Sequence, residues 1–291
     1  MASAPLVVIV GPTASGKTRL AVDLAKKYQG EIICADSRTI FKGMDIGTAK
    51  PTKEDQANVP HWGLDLVEPG DRFTAADFQK YANAKIQDIR SRGKIPFLVG
   101  GTGLYIDSVI FEYKFGQDAV MSKRKLYESM TLEQLYKYCD RYNIELPENN
   151  KNKRYIIRAI EQNGVNRKSN DVILDNTVIV GISTDKDVLR TRIQLRNEQL
   201  FEDGVVNEAK ELGKKYGWES QALTGNIYRL IAEHINNRLS IEDVVSMSSI
   251  RDWQLAKRQL TWFRRNKYIN WLELDRAEDF LSQHLENWQQ S

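Results

Sequence analysis

The apolar residues of this chain fall into short continuous runs that alternate with amphipathic segments. Such runs, rich in β-branched residues, predict strands that are buried on both faces. Four runs have this character: LVVIV (6–10), EIICA (31–35), IPFLVGG (95–101) and NTVIVGIS (176–183). Apolar residues recur at helical spacing over 18–28 and 74–92, which predicts helices between the strands. Alternating strands and helices indicate an α/β fold, with a parallel sheet covered on both faces and ligands bound at the carboxyl ends of its strands.

The pattern changes in two later parts of the chain. Residues 115–172 are polar, helical in periodicity and poor in strands, with the irregular stretch ELPENNKNK (145–153) between the helical segments. From about residue 186 onward, the pattern predicts helices only. We therefore predict an α/β core made of residues 1–114 and 173–291, with a helical C-terminal region, and a helical insertion domain over 115–172.

The composition narrows the class of protein. Of the 291 residues, 41% are hydrophobic and 28% charged, which is typical of a globular protein. No run of about 18 apolar residues is present, and the apolar start leads directly into a glycine-rich loop. The two cysteines, Cys34 and Cys139, have no metal-ligand spacing and are too few for a disulfide framework. These features predict a soluble cytoplasmic protein without a membrane partner.

Positive charge is concentrated in two blocks. Residues 121–170 hold 11 Lys/Arg against 6 Asp/Glu, and residues 251–268 hold 6 against 1, although the whole chain carries only +3. Two basic blocks on an otherwise acidic protein favour a polyanion larger than a nucleotide. Two solvated helical faces are the alternative.

The segment GPTASGKT (11–18) lies between a predicted strand and a predicted helix, which is the context of a P-loop. Its backbone N–H groups and the helix N-terminus would cradle a di- or triphosphate, Lys17 would reach the terminal phosphates, and Thr18 would offer a hydroxyl to Mg²⁺. The predicted core is therefore P-loop NTPase-like. The phosphate-binding residues predicted here are Gly11, Thr13, Ala14, Ser15, Gly16, Lys17 and Thr18. However, no apolar strand downstream ends in a second Mg²⁺-binding Asp, which weakens the case for an ATPase.

Four further side chains are candidates for chemistry beside the loop. Asp36 follows the second strand and could act as a general base, or instead as a helix N-cap or a water-mediated Mg²⁺ ligand. Thr102, in the turn GGTG, could donate to a bridging or leaving oxygen, unless the turn is an ordinary connection. Arg192 and Arg196 share a helical face and could clamp phosphates, or could belong to a solvated basic face.

The second basic block has two helical stripes. The stripe of Trp253, Ala256, Leu260 and Phe263 predicts a core face. The other stripe lies on the opposite side and could bind phosphodiester or face solvent. Its members are Gln254, Arg258, Thr261 and Arg265, with Lys257 beside them.

Six segments, in one order across nearly the whole chain, resemble the tRNA dimethylallyltransferases of bacterial type. DIGTAKP and AKRQLTWF, which lie within them, are far more specific than a P-loop alone. The six segments are GPTASGKT (11–18), DSRTIFKGMDIGTAKPT (36–52), VPHWGLDLVEPGDRFTAADF (59–78), GGTGLY (100–105), RNEQLFEDGVVNE (196–208) and QLAKRQLTWFR (254–264).

The resemblance implies an activity. The loop would hold the diphosphate of dimethylallyl diphosphate, and the 6-amino group of an adenine beside the tRNA anticodon would attack the allylic carbon. Asp36 would take the proton. Thr102 with Arg192 or Arg196, helped by Lys17 and Mg²⁺, would stabilise the departing diphosphate. The tRNA partner would be held by three groups of residues: Ser37, Arg38 and Thr39; Arg124, Arg154 and Arg158 of the insertion; and Gln254, Lys257 and Arg258. A monomer would suffice for this chemistry.

Several positions depart from the family pattern. Thr39 stands where Gln is usual, and Trp253, after Asp252, stands where Arg is typical. The usual Gly-Tyr-Lys-Glu is Ile227-Tyr228-Arg229-Leu230 here, and Asn152 and Tyr155 replace an Asp and an Arg in the insertion. Three alternatives remain open: a P-loop small-molecule kinase, a prenyltransferase acting on free AMP or ADP, and a non-catalytic RNA-binding relative.

Overall fold

The computed structural model describes residues 4–115, 121–147, 149–162, 172–220 and 222–290. The strands within these ranges are β1 Leu6–Val10, β2 Gly30–Cys34, β3 His61–Trp62, β4 Ile95–Gly100, β5 Thr177–Ile182 and β6 Asn270–Leu272. The helices are α1 Lys17–Lys27, α2 Lys53–Asn58, α3 Ala75–Ser91, α4 Gly103–Ile110, α5 Met121–Ser129, α6 Leu132–Arg141, α7 Lys153–Gln162, α8 Lys186–Glu202, α9 Val205–Tyr216, α10 Asn226–Ile235, α11 Ile241–Phe263 and α12 Leu274–Gln290. None of these helices is long and apolar enough to cross a membrane.

The strands form one parallel sheet in the order β3-β2-β4-β1-β5-β6. β1 lies in the interior, where Val7 is in register with Phe97 of β4 and with Val178 of β5. Every residue of β1 is buried, as its continuous apolar run predicts for a strand covered on both faces. The predicted α/β fold class is confirmed.

Helices cover the sheet because its side chains alternate between two apolar faces. On one face, alternate residues of β1, β2, β4 and β5 form a single core with α1 and with Ala277, Leu281 and Leu285 of α12. The intervening residues, among them Val8 and Leu98, are completely buried as well. Both faces of the four inner strands are therefore shielded from water, and the polar chemistry of the protein is left to the ends of the strands.

Two short edge strands were not predicted. β3 has two residues and pairs with β2, while β6 has three residues and pairs with β5. The prediction that only helices follow residue 186 is therefore wrong at β6. A strand this short, with the polar Asn270 at its start, has too few residues to show a periodicity, and only its pairing with β5 defines it.

The chain divides into two compact units, residues 1–106 with 175–291 and residues 107–174. The second unit contains α5, α6 and α7, which share a small core. The buried members of that core are Tyr127, Leu135, Cys139, Ile156, Ile157 and Ile160. The insertion domain predicted over 115–172 falls within this unit, and its assignment as a separate functional domain stays a prediction.

Candidate active site

The segment from Gly11 to Thr18 joins β1 to α1 at the carboxyl edge of the sheet. Ala14 and Gly16 have φ values of 61° and 90°, the left-handed conformation that folds the loop back over the helix start. Gly16 is the N-cap of α1 and no side chain caps this end, so the first N–H groups of the helix are left for a ligand. The hydroxyl of Ser15 is buried and has no hydrogen-bond partner among the described residues. The loop therefore has the unused donors that an anion needs.

Lys17 places an ammonium group beside this loop. Its Nζ donates to the carbonyl oxygen of Pro12 at 3.0 Å. Burial lowers the pKa of Lys17 from 10.5 to about 8, the charge of Asp36 opposes that decrease, and Arg196 adds to it. The charges of Asp36 and Arg196 thus act on Lys17 in the folded protein. In sequence, Asp36 is 19 positions from Lys17 and Arg196 is 179 positions from it.

Asp36 lies two residues beyond the end of β2 and is half-buried. Its Oδ1 accepts from the backbone N–H of Arg38 at 2.8 Å, which closes a turn and fixes the carboxylate at the sheet edge. No helix begins at this turn, so the helix N-cap alternative does not apply. Burial, and secondly the charge of Asp36, raises the pKa of the neighbouring Cys34 to about 12, which keeps that thiol neutral.

Thr102, two residues beyond the end of β4, connects its turn to the Asp36 segment. Its Oγ1 accepts from the backbone N–H of Ser37 at 3.0 Å and donates to the Ser37 hydroxyl at 3.4 Å. Its own N–H donates to the carbonyl oxygen of Ala35 at 3.2 Å. The ends of β2 and β4 therefore hold Asp36 and Thr102 on adjoining turns.

The structure separates the two candidate arginines of α8. Arg196 donates through Nη1 to the Thr13 hydroxyl and so contacts the loop directly. Arg192, one turn earlier, is exposed, and its side chain makes no hydrogen bond or ion pair within the described ranges. Leu189 and Ile193 of the same helix pack against α11 and against Ala14 of the loop, which fixes α8 beside the loop.

Gln259 of α11 is a site residue that sequence analysis missed. Its Oε1 accepts from the backbone N–H of Thr13 at 2.9 Å, and its Nε2 donates to the carbonyl oxygen of Gly101 at 3.1 Å. The Thr13 N–H is therefore occupied by protein, and the Ser15 N–H donates to the carbonyl oxygen of Pro12 at 3.3 Å, so the free donors lie at the start of α1. Gln259 lies inside the motif QLAKRQLTWFR (254–264), but on neither helical stripe, and so no role could be assigned from spacing.

The segment MDIGTAK (44–50) is hydrogen-bonded through three of its backbone N–H groups to one carboxylate. Glu208 of α9 accepts from the backbone N–H groups of Asp45, Ile46 and Gly47 at 2.8, 2.6 and 2.8 Å, and from the Tyr228 hydroxyl at 2.8 Å. Burial and the Glu208 charge raise the pKa of Tyr228, which keeps its hydroxyl protonated as a donor. Two of the family-like segments thus contact each other through one side chain.

We expect Glu208→Ala to lower the free energy of unfolding by about 3 kcal/mol, because three backbone N–H groups, two of them partly buried, lose their acceptor. Tyr228→Phe, which removes only one of the four bonds, should cost about 1 kcal/mol. Urea unfolding of the two variants beside the unsubstituted protein measures both values. Equal losses for the two variants would contradict the role assigned to Glu208.

The arginines predicted to bind tRNA from the insertion differ in their surroundings. Arg124 donates through Nη1 to both oxygens of the nearly fully buried Glu161 at 3.0 Å, and Arg158 donates to Oε2 of the same carboxylate at 3.3 Å. Arg154 is exposed, and its backbone N–H is bound by Asn152, one of the departures from the family pattern. Tyr155, a second departure, is also exposed. Arg124 and Arg158 therefore also neutralise a buried carboxylate of the insertion.

On α11, the predicted core stripe and the predicted polar stripe take opposite sides. Ala256 and Phe263 are fully buried, whereas Gln254, Lys257 and Arg258 are exposed. Trp253 lies below the guanidinium of Arg190, with 4.7 Å between that group and the ring centroid. The exposed cationic face that the charge pattern predicted is present.

The remaining candidates and departures lie close to Asp36 or in the core. Arg38 donates through Nη1 to the carbonyl oxygen of Ala222 at 3.3 Å, and the Thr39 hydroxyl is buried without a recorded partner in the described part of the chain. Ile227 and Leu230 are buried in the core around α9 and α10. Asp252 accepts from the side chain of Asn197 at 3.2 Å.

A resident metal would have few protein ligands here. Among the residues described, no three His, Cys, Asp or Glu side chains come together as a metal cluster. The exposed hydroxyl of Thr18 and the carboxylate of Asp36 are hard oxygen donors at the same edge of the sheet. Mg²⁺ commonly uses one or two protein oxygens together with water and substrate phosphates. This donor set fits Mg²⁺ only if a phosphorylated substrate completes it.

Fold and site together define an α/β protein with a P-loop-like segment, a carboxylate and two cationic side chains at one edge of a parallel sheet. The model of the IPP transferase family matches residues 39–266. The chain belongs to this family.

Curated relatives support the assignment. The chain is 37% identical over 289 residues to proteins named tRNA dimethylallyltransferase from Bacillus mycoides and Bacillus anthracis, covering 94% of this chain and 91% or 92% of theirs.

Solved structures agree. The tRNA isopentenylpyrophosphate transferase from Bacillus halodurans is 33% identical, with a TM-score of 0.74 and 98% of each chain covered. A eukaryotic dimethylallyltransferase acting on tRNA, 22% identical, superposes over 97% of this chain and 80% of its own with a TM-score of 0.79, which shows the shared fold.

Proposed function

We propose that this protein transfers a dimethylallyl group from dimethylallyl diphosphate to the 6-amino group of the adenine 3′-adjacent to the anticodon of tRNA, with release of diphosphate. One observation carries the proposal: a carboxylate, Asp36, lies beside the cationic P-loop site formed with Lys17 and Arg196. The names of the curated relatives and of the solved bacterial structures support the choice of substrates.

The reaction needs a base on one side and a cation cluster on the other. The amine lone pair forms a bond to the allylic carbon, the bond from that carbon to the diphosphate oxygen breaks, and the amine proton goes to Asp36. Asp36 suits this task because its turn fixes one oxygen on the Arg38 N–H and holds the carboxylate at the sheet edge. The adenine must leave its stack in the anticodon loop to reach this carboxylate.

The departing diphosphate gains charge, and this chain supplies the compensation. Lys17, the unused N–H groups at the start of α1 and the Ser15 hydroxyl lie around the loop. Arg196 has five N–H donors and uses Nη1 to bind Thr13, so its other donors are available to a phosphate. Thr102 lies at the same edge of the sheet, where its hydroxyl is hydrogen-bonded to Ser37. Donors already in place stabilise the transition state without reorganisation.

We propose Mg²⁺ as the metal, held by Thr18 and by oxygens of the substrate. When bound, Mg²⁺ would neutralise part of the diphosphate charge. Arg192 could add a cation to the same leaving group from α8. Gly11 and Gly16 let the backbone approach the phosphates closely.

We propose that tRNA binds along two basic surfaces. One is the exposed face of α11, which carries Gln254, Lys257 and Arg258. The other is the insertion, where Arg154 is exposed while Arg124 and Arg158 share Glu161 and so present a weaker net charge. Ser37, Arg38 and Thr39 follow Asp36 directly and would contact the extruded nucleotide. We further propose that the protein acts as a monomer in the cytoplasm.

The test is a transfer assay with labelled dimethylallyl diphosphate and unmodified tRNA, with ATP and free AMP as competing substrates. We expect label in tRNA. Label in AMP would instead select a prenyltransferase of free nucleotides, and ATP turnover alone would select a small-molecule kinase. Binding of tRNA without any label would select a non-catalytic relative.

We expect Lys257→Ala to weaken tRNA binding and to lower the slope of log Kd against log salt by about one unit, because one fewer counterion is released. Filter binding of the anticodon stem-loop, measured between roughly 50 and 200 mM salt, gives this slope. Lys26→Ala, at an exposed position on α1, is the matched control and should leave the slope unchanged. Equal slopes for the two variants would place Lys257 outside the interface.

A further inference from the structure

Gln259 joins the two loops that meet at the proposed active site. Its amide lies between the P-loop, at Thr13, and the turn after β4, at Gly101. The side chain must accept one hydrogen bond and donate the other, because its partners are an N–H group and a carbonyl oxygen. An amide is the uncharged side chain that performs both tasks at this length.

The space around this amide is closely filled. A Cβ atom added at Gly101 would lie 2.2 Å from Nε2 of Gln259 and 3.4 Å from the carbonyl oxygen of Gly11. Residue 101 therefore has no room for a side chain while the Gln259 amide keeps its position. A displacement of the Gln259 amide would break its hydrogen bond to at least one of the two loops.

Gln259 is also placed next to the proposed tRNA-binding surface. Lys257 and Arg258 immediately precede it on α11 and are exposed, whereas Gln259 is half-buried and contacts the loops. The same helix turn thus carries cations on one side and the loop contacts on the other. A rigid helix moves both sides together, so a force from RNA on the outer side reaches the Thr13 N–H.

Thr13 is hydrogen-bonded to side chains from two helices. Gln259 of α11 binds its N–H group, and Arg196 of α8 binds its hydroxyl. The guanidinium proposed to hold the leaving group is therefore tied to the loop residue that α11 positions.

We propose that Gln259 is a positioning residue that couples tRNA binding on α11 to the shape of the diphosphate-binding loop. This inference rests on the proposed function. By linkage, tRNA should tighten diphosphate binding, and diphosphate should tighten tRNA binding by the same factor.

The experiment measures the Kd of inorganic diphosphate by titration calorimetry, with and without a saturating anticodon stem-loop RNA. For the unsubstituted protein we expect the RNA to lower this Kd at least about 5-fold, within the usual range of coupling energies. In Gln259→Met, which keeps the shape but makes neither hydrogen bond, the factor should fall to about 1, with RNA affinity in the absence of diphosphate kept within about 2-fold. Gln283→Met, at an exposed position on α12, is the matched control and should keep the full factor.

Gly101→Ala provides a second route to the same displacement, because its Cβ pushes the Gln259 amide aside. It should lower the coupling factor in the unsubstituted background but not in the Gln259→Met background, where the amide is already absent. If Gln259→Met does not fold, Gly101→Ala alone decides the question.

An unchanged factor in a folded Gln259→Met or Gly101→Ala protein would overturn the coupling, as would a factor of 1 in the unsubstituted protein. Both results are read from binding alone. Failure of the proposed function shows separately, as absence of label transfer to tRNA by the unsubstituted protein, and that result would remove the basis of the coupling too.

Discussion

Replacing Asp36 by Asn should lower the turnover of dimethylallyl transfer by about 10²–10⁴, the usual contribution of a general base. The amide cannot take the proton of the attacking amine, yet its Oδ1 can still accept from the Arg38 N–H and keep the turn closed. We therefore expect tRNA and diphosphate binding to stay within a few-fold of the unsubstituted values. Single-turnover transfer of labelled dimethylallyl to tRNA measures the chemical step directly.

Asp23→Asn is the matched control for this result, since Asp23 is an exposed carboxylate on α1 that pairs with Arg19. It should leave the rate unchanged. Near-normal turnover in Asp36→Asn would exclude a general base at this position. Recovery of the rate at raised Mg²⁺ concentration would instead make Asp36 a metal ligand.

Lys17→Met should lower turnover by about 10²–10³, because a prearranged cation no longer faces the oxygen on which charge develops. The effect should be greater on the chemical step than on tRNA binding, since Lys17 lies in the loop and away from the exposed face of α11. Single-turnover rates and tRNA affinity, measured on the same preparation, separate these two contributions. A loss confined to tRNA binding would contradict the assignment.

Lys17 should also give diphosphate binding a distinctive pH dependence. Binding favours the protonated ammonium, so the pKa of Lys17 must be higher in the complex than its value of about 8 in the free protein. The affinity that Lys17 contributes is therefore complete below pH 8 and is lost as the pH rises above 8, by at most tenfold per pH unit. Dividing the diphosphate affinity of the unsubstituted protein by that of Lys17→Met at each pH removes the effect of the ligand's own titration. A ratio that stays flat between pH 7 and 10 would contradict the assignment.

Local sequence determined the features that depend on neighbouring residues only. Val7 and Val8 belong to a run that is apolar at every position, which identifies a strand buried on both faces wherever the strand lies in the sheet. GPTASGKT (11–18) forms its loop from contiguous residues. The left-handed backbone at Gly16 could be expected from the sequence, because glycine adopts this conformation readily. The position of Asp36 at the same edge followed from strand direction alone.

Tertiary structure decided which distant side chains share that edge. Helical spacing alone does not distinguish Arg192 from Arg196, but of the two only Arg196 contacts Thr13, because α8 is fixed by its packing on α11. Arg124 and Arg158 look like free cations in a basic block, yet both contact the buried Glu161.

The same limit applies to residues whose chemistry depends entirely on partners far along the chain. β6 exists only because β5 offers it an open edge, and Gln259 has a role only because the folded core places α11 between two loops. Sequence by itself therefore determined the fold class, the phosphate loop and the family of this protein, since these depend on contiguous patterns. The pairing of Arg196 and Gln259 with the loop was decided by the packing of helices onto the sheet, which brings together residues that are 183 and 246 positions apart.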